Sequence, residues 1–204
     1  MQTTIQAQVA PQVLQDGNQA TLRLGKSGET IVQEVHGRYY EAAYRKGLYT
    51  AFVAGGTITT VGTSMTGLIL INKSTTVNLS LLKVNAQETV TAASATSIGL
   101  AWFNALTTFG GTTLTAVTPM ANFLGASLPQ AGVYSAVNST NGTPVEFLTL
   151  LHNTAAIATT GEDPGAPLDL EGSYIVPPGY GVCFCAIGAS ATANAFIQWE
   201  EVPV

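Results

Sequence analysis

Charge is the scarcest commodity in this chain. Asp, Glu, Lys and Arg make up 9% of its 204 residues, against roughly 25% in an ordinary soluble domain. Only seven residues are Lys or Arg, and none follows Lys83. A nucleic-acid binder needs a basic stripe to release counterions, so that class is set aside. The same scarcity of Glu, Lys and Arg argues against a coiled coil or a long helical bundle. Long hydrophobic runs are missing too: Thr, Ser, Asn and Gly interrupt every apolar stretch before ~18 residues, so no membrane-spanning helix is expected. The first twelve residues are polar and Gln-rich, with neither the basic start nor the apolar core of a secretory signal. Histidine is limited to His36 and His152, and cysteine to Cys183 and Cys185. The two cysteines stand two apart in an apolar run. On a strand they face the same side without disulfide geometry, and they read as small buried hydrophobes.

What is present is apolar and small. Hydrophobic residues reach 46%, Thr, Ala and Gly number 28, 27 and 21, and the net charge is only -5. Disorder does not fit such a composition. A chain of this mass buries about 70% of its unfolded surface, which supports a core without metal or disulfide staples. The charges are unevenly placed. Residues 1–50 hold five basic residues and four acids, a balance of +1, while residues 51–204 hold two lysines and eight acids, a balance of -6. A body so poor in Lys lacks the mixed charged surface of a free-standing monomer. We read it as a surface that packs against copies of itself or a larger scaffold.

From residue 57 onward the pattern is that of strands and turns. Residues 57–62 and 67–72 are short β-branched or apolar runs. Residues 76–83 alternate, with Val77, Leu79 and Leu81 opposed to Thr76, Asn78 and Ser80, the period of a strand with one wet face. Residues 96–104 and 180–187 are apolar on both faces and predict central strands buried on both sides. Residues 144–152, 173–176 and 195–202 complete about eight strands. Pro177-Pro178-Gly179 predicts a tight corner, and Asn141-Gly142 a turn ahead of the Pro144 strand. Residues 110–141 read as loops with one short helix near 120–125. Eight punctuated strands at this length predict an all-β jelly-roll antiparallel sandwich over residues 55–204, preceded by an extended N-terminal arm over residues 1–54.

The arm carries a possible hairpin, residues 21–24 against 30–36, and then an aromatic and basic cluster. Tyr40, Ala43 and Tyr44 share a helical face there. Tyr and Arg are enriched at interface hot spots, so Arg38, Tyr39, Tyr40, Tyr44 and Arg45 are the candidate docking residues. A self-packing arm is the alternative. Catalytic signatures are lacking: there is no nucleophile elbow, no phosphate loop after Gly55-Gly56 or Gly110-Gly111, and no dinucleotide fingerprint. The one dense acid cluster is Glu162, Asp163, Asp169 and Glu171. Its spacing matches no calcium loop, and it reads as a solvated acidic loop. No catalytic residue, cofactor or metal is expected. Trp102 and Trp199 both read as core, although exposed rings would suit sugar stacking. The Asn-x-Ser/Thr sequons at Asn72, Asn78, Asn138 and Asn141 are what a Thr-rich chain produces by chance.

Three segments carry a resemblance: VQEVHGRYYEAAYRKGLYTA (residues 32–51), TGLILINKSTTVNLSLLKV (66–84) and YIVPPGYGVCF (174–184). In this order they resemble a family of tailed-bacteriophage virion proteins. That resemblance implies a jelly-roll capsid decoration or cement protein, often a homotrimer, bound outside the major capsid protein lattice. It implies manufacture in the host bacterial cytoplasm and residence on the capsid exterior of the virion. The expected partners are therefore copies of the chain and the major capsid protein, with no nucleic acid and no membrane. A glycan- or receptor-binding module of a tail fibre or head fibre is the alternative.

Overall fold

Strands dominate the regular structure. A computed structural model of the chain describes residues 38–90, 96–105, 114–137, 141–153 and 167–204. The chain divides into two compact units, Met1–Tyr40 and Glu41–Val204. A five-residue helix, α1 (Tyr40–Tyr44), precedes β1 (Leu48–Ile58), β2 (Met65–Ile71), β3 (Val77–Val90) and β4 (Thr96–Asn104). Three short strands follow: β5 (Leu114–Ala116), β6 (Met120–Ala121) and β7 (Gly132–Val137). The last four are β8 (Asn141–Asn153), β9 (Leu168–Val176), β10 (Tyr180–Ile187) and β11 (Ala191–Pro203). No helix among the described residues is long and apolar enough to cross a membrane.

All strand pairs are antiparallel. They form a five-stranded sheet in the order β6-β1-β11-β3-β9 and a six-stranded sheet in the order β5-β7-β2-β10-β4-β8. Setting β5, β6 and β7 aside, the remaining strands alternate between sheets at every step except β4 to β8. That wiring is the jelly roll, two interlocked Greek keys closed as a sandwich. The segment between β4 and β8 widens both sheets on one side, adding β7 and β5 beside β2 and β6 beside β1.

The interior is built by alternation. On β11 the inward residues Ala191, Ala193, Ala195, Ile197 and Trp199 are buried and the intervening ones half-buried. They face Leu68, Leu70, Ile98, Leu100, Val182 and Phe184 of the other sheet in a single core. Each large side chain so buried contributes about 1.5–3 kcal/mol. Trp199 stacks on Tyr49 with ring centroids 5.9 Å apart. The six-stranded sheet has a second apolar layer on its outer face: Met65, Ile69, Ile71, Ala101, Phe103, Tyr134, Cys183 and Cys185 are all buried. Strands β4 and β10 are therefore covered on both sides, as their two-faced sequences predict. The Pro177-Pro178-Gly179 corner is also present, with Tyr180 N–H donating to the Pro177 carbonyl at 3.2 Å and Gly179 at φ 78°, the left-handed position that favours glycine.

Several boundaries differ from expectation. Strand β1 begins at Leu48, so residues 48–54 belong to the sandwich and the expected arm of residues 1–54 is too long. The Gly55-Gly56 pair forms a bulge within β1: the register with β11 shifts between Val53 and Gly56, Gly55 takes φ 58°, and its N–H donates to Asn194 Oδ1 at 2.8 Å. A left-handed Gly at a bulge bends a strand without ending it. Residues 1–37 of the arm, including the possible hairpin and His36, lie outside the described residues. The helix expected near residues 120–125 is replaced by β6 and a turn, because Met120 and Ala121 pair with β1. Asn141-Gly142 opens β8 instead of preceding it. Asp169 and Glu171 sit in β9, not in a loop, while Glu162 and Asp163 lie outside the described residues.

Candidate docking surface

The candidate cluster is organised by the end of α1. Gly47 N–H donates to the Ala42 carbonyl at 3.1 Å and Lys46 N–H to the Ala43 carbonyl at 2.9 Å. Lys46 stands at φ 61°. This is the Schellman arrangement, with Lys in the left-handed position usually given to Gly. It reverses the chain directly into β1. Of the five candidates, the structure joins Arg38 to Tyr39, the guanidinium lying 5.4 Å from the ring centroid, a cation–π distance. Tyr40, Tyr44 and Arg45 are exposed.

Tyr44 has a neighbour that sequence reading missed. Its ring meets Phe123 edge to face at 6.4 Å, and Lys46 Nζ lies 5.5 Å from the same Phe123 ring. The segment carrying Phe123 is pinned to β1: Asn122 N–H donates to the Leu48 carbonyl at 2.9 Å, and Thr50 Oγ1 donates to Asn122 Oδ1 at 2.7 Å. Residues 123–126 then form a turn closed by Ala126 N–H on the Phe123 carbonyl, with Gly125 at φ 84°. A positive φ at the third position marks the type II turn. It leaves Leu124 at the tip, 82% exposed, with Met120, Phe123 and Leu128 exposed around it. Nothing in the local sequence marks this cluster, because its members are scattered between Gly, Pro and Ser.

A second exposed apolar site lies at the other edge of the sandwich. Trp199 is core as expected, but Trp102 is 43% exposed, and that part of the expectation is overturned. Trp102 points inward near the end of β4, where the edge strands β8 and β9 leave the two sheets open. A cavity of about 240 Å³ sits there, walled by Leu81, Trp102, Phe147, Tyr174, Val176 and Val182. Phe147 and Tyr174 have ring centroids 4.9 Å apart, and Trp102 lies 6.0 Å from Tyr180. Ile175, which also lines the cavity, is exposed, as is Val145, the register partner of Trp102. Strand β9 bulges here: between Lys83–Asp169 and Leu81–Tyr174 the register shifts, and Glu171 and Gly172 both take positive φ. A Cβ on Gly172 would stand 2.7 Å from Ser80 Oγ.

The reactive groups are occupied structurally. Cys183 and Cys185 are free, buried thiols that donate to the Ala101 and Gly99 carbonyls, each at 3.7 Å. Burial pushes the Cys183 thiol up, and burial with the nearby Glu146 carboxylate pushes Cys185 up to about 12. They are poor nucleophiles at neutral pH. Asn72, of the first sequon, is buried, and its amide donates to the Val77 and Val176 carbonyls at 2.8 and 2.9 Å, which locks the strand ends together. Among the described residues no three His, Cys, Asp or Glu side chains converge as metal ligands. Comparison with protein-family models, curated proteins and solved structures found no match to the chain.

Proposed function

We propose that this chain is a structural virion protein of the capsid decoration or cement type, a self-associating jelly roll that binds the outside of a major capsid protein lattice. The observation that carries this reading is the exposed aromatic corner built around α1, where Tyr44 and Phe123 are mounted on hydrogen-bonded backbone beside β1. Rigid aromatics with cationic neighbours suit hot spots, because little side-chain freedom is lost on docking. The Lys-poor body and the resemblance of three segments to phage virion proteins support the same reading. It assigns Arg38, Tyr39, Tyr40, Tyr44 and Arg45 to capsid contact, requires no catalysis, cofactor, nucleic acid or membrane, and places the protein on the capsid exterior. The test is co-sedimentation of the full chain with capsids lacking it. Saturable binding that falls at least 10-fold in a Tyr40→Ala/Tyr44→Ala variant, roughly the loss of one hot spot, is expected. Failure of the intact chain to bind overturns the reading.

One observation favours the alternative of a fibre-borne glycan- or receptor-binding module: the exposed Trp102 beside Tyr180 at the open end of the sandwich. Aromatic faces of this kind stack on sugar rings. Quenching or a shift of Trp emission on titration with host surface glycans would support it, whereas the capsid reading expects no change.

A further inference from the structure

The two exposed apolar sites differ in shape and lie at opposite edges of one sheet. The turn at residues 123–126 follows β6, at one end of the order β6-β1-β11-β3-β9, and the cavity borders β9 at the other. Four strand spacings separate these edges, roughly 20 Å. One site is a protrusion, with Leu124 standing clear at the tip of its turn and Phe123 behind it, held by Tyr44 and Lys46. The other is a hollow of about 240 Å³ with aromatic and aliphatic walls, ample for a Leu side chain and part of the Phe ring beside it.

Their charges are opposite as well. Arg45 and Lys46 are exposed beside the protrusion, whereas Glu200 and Glu201, next to Gly47, are half-buried. Glu201 Oε1 accepts from Ala131 N–H at 2.9 Å. Asp169 and Glu171 are exposed on the bulge of β9, and Lys83, the register partner of Asp169, is half-buried. The exposed charged side chains are thus Arg45 and Lys46 beside the knob, and Asp169 and Glu171 on the strand that borders the hole.

We infer that the occupant of the hole is the knob of a second copy of this chain: Leu124 of one protomer enters the cavity between β8 and β9 of the next. Such a contact is heterologous, joining two different surfaces, and it closes into a ring or propagates as a filament. The inference rests on the self-association reading above, whose trimer it explains as a three-membered ring in which every knob and every hole is filled. It assigns Leu124, Phe123 and Lys46 to one side and Trp102, Val145 and Ile175 to the other. Phe123 and Lys46 then belong to the seam, and Tyr44, whose ring meets Phe123 edge to face, stands at its border, leaving the exposed Tyr44 and Arg45 for the capsid.

The experiment breaks each side alone and then mixes the halves. Leu124→Glu removes the knob and Val145→Glu charges the rim of the hole; both positions are exposed, so the body should keep its circular dichroism spectrum and melting temperature. If Val145→Glu does not fold, Ile175→Glu replaces it on the exposed lip. By sedimentation velocity each variant alone should lose the trimer, with association weakened by roughly 30-fold or more, as for a lost hot spot. An equimolar mixture should form a one-to-one pair, because the intact knob of one variant fits the intact hole of the other. A variant that remains trimeric alone, or a mixture that remains monomeric, overturns this seam while leaving self-association standing. A wild-type chain that is itself monomeric overturns both.

Discussion

The two sheets of this sandwich meet their surroundings differently. In the five-stranded sheet, β11 alternates buried and half-buried residues along almost its whole length, so one face is core and the other tolerates water. In the six-stranded sheet, β10 is buried at six successive positions, and on the outer face β4 and β10 carry mostly small residues, Gly99, Ala101, Gly181, Cys183 and Cys185, beside Phe103. Small side chains keep that second layer thin and let backbone and carboxylate approach closely. On its outer face the six-stranded sheet leaves no room at Gly99 or Gly181, where an added Cβ would stand 2.3 and 2.5 Å from its nearest neighbours. The five-stranded sheet has one face open to water and carries the knob, while both sheets border the hole.

The largest effects should be shared by both sheets. Phe184→Ala and Trp199→Ala each empty the common core and should cost about 3–5 kcal/mol, measured by urea unfolding. A much smaller loss at either position would show that the two sheets do not share one core. The Trp199 indole N–H is buried without an acceptor, so Trp199→Phe should cost far less than Trp199→Ala.

The outer faces should then separate. A methyl on Gly99 would stand 2.5 Å from the Leu148 carbonyl oxygen and 2.3 Å from Glu146 Oε1. Gly99→Ala should therefore cost about 1–3 kcal/mol through overpacking, read as a lower urea midpoint with unchanged slope. On the exposed face of the other sheet, Phe52→Thr should stay within about 0.5 kcal/mol. Equal costs at the two positions would erase the distinction between the sheets.

Alkaline pH sharpens the same contrast. The thiols of Cys183 and Cys185 hold their protons in the folded sheet above the ordinary value of 9.0, Cys185 up to about 12. An unfolded chain releases those protons from pH 9 upward, so the folded state binds more protons across this window and stability falls as pH rises. The contribution is complete below pH 9 and is lost on approaching pH 12. Tyr49, raised by burial and by Glu201, acts in the same direction from about pH 10. A Cys183→Ala/Cys185→Ala variant should show a flatter decline in melting temperature between pH 9 and 11. An identical slope would remove the thiols from the account.

Much of this fold was legible because its signals are local. The double-faced runs of β4 and β10, the alternation of β3, the Pro-Pro-Gly corner and the short helix at Tyr40–Tyr44 follow from residue types and spacing. What was missed depends on partners distant in sequence. Strand β1 crosses Gly55-Gly56 because β11 holds it on both sides of the bulge. Strands β5 to β7 are short and exist through distant pairings, β6 with β1, β7 with β2 and β5 with β7. Trp102 has the sequence context of a core residue, yet it lies where β8 and β9 diverge, and only the sheet order reveals that opening. Tyr44 was visible as a candidate, but Phe123 and Leu124, far away in the chain, were not.

Sedimentation velocity on the unmodified full chain tests the central claim, that this is a structural protein whose exposed edges join copies of itself. Across micromolar concentrations the expected species has three times the 21.1 kDa chain mass and persists on dilution. A single species at 21.1 kDa throughout would contradict it.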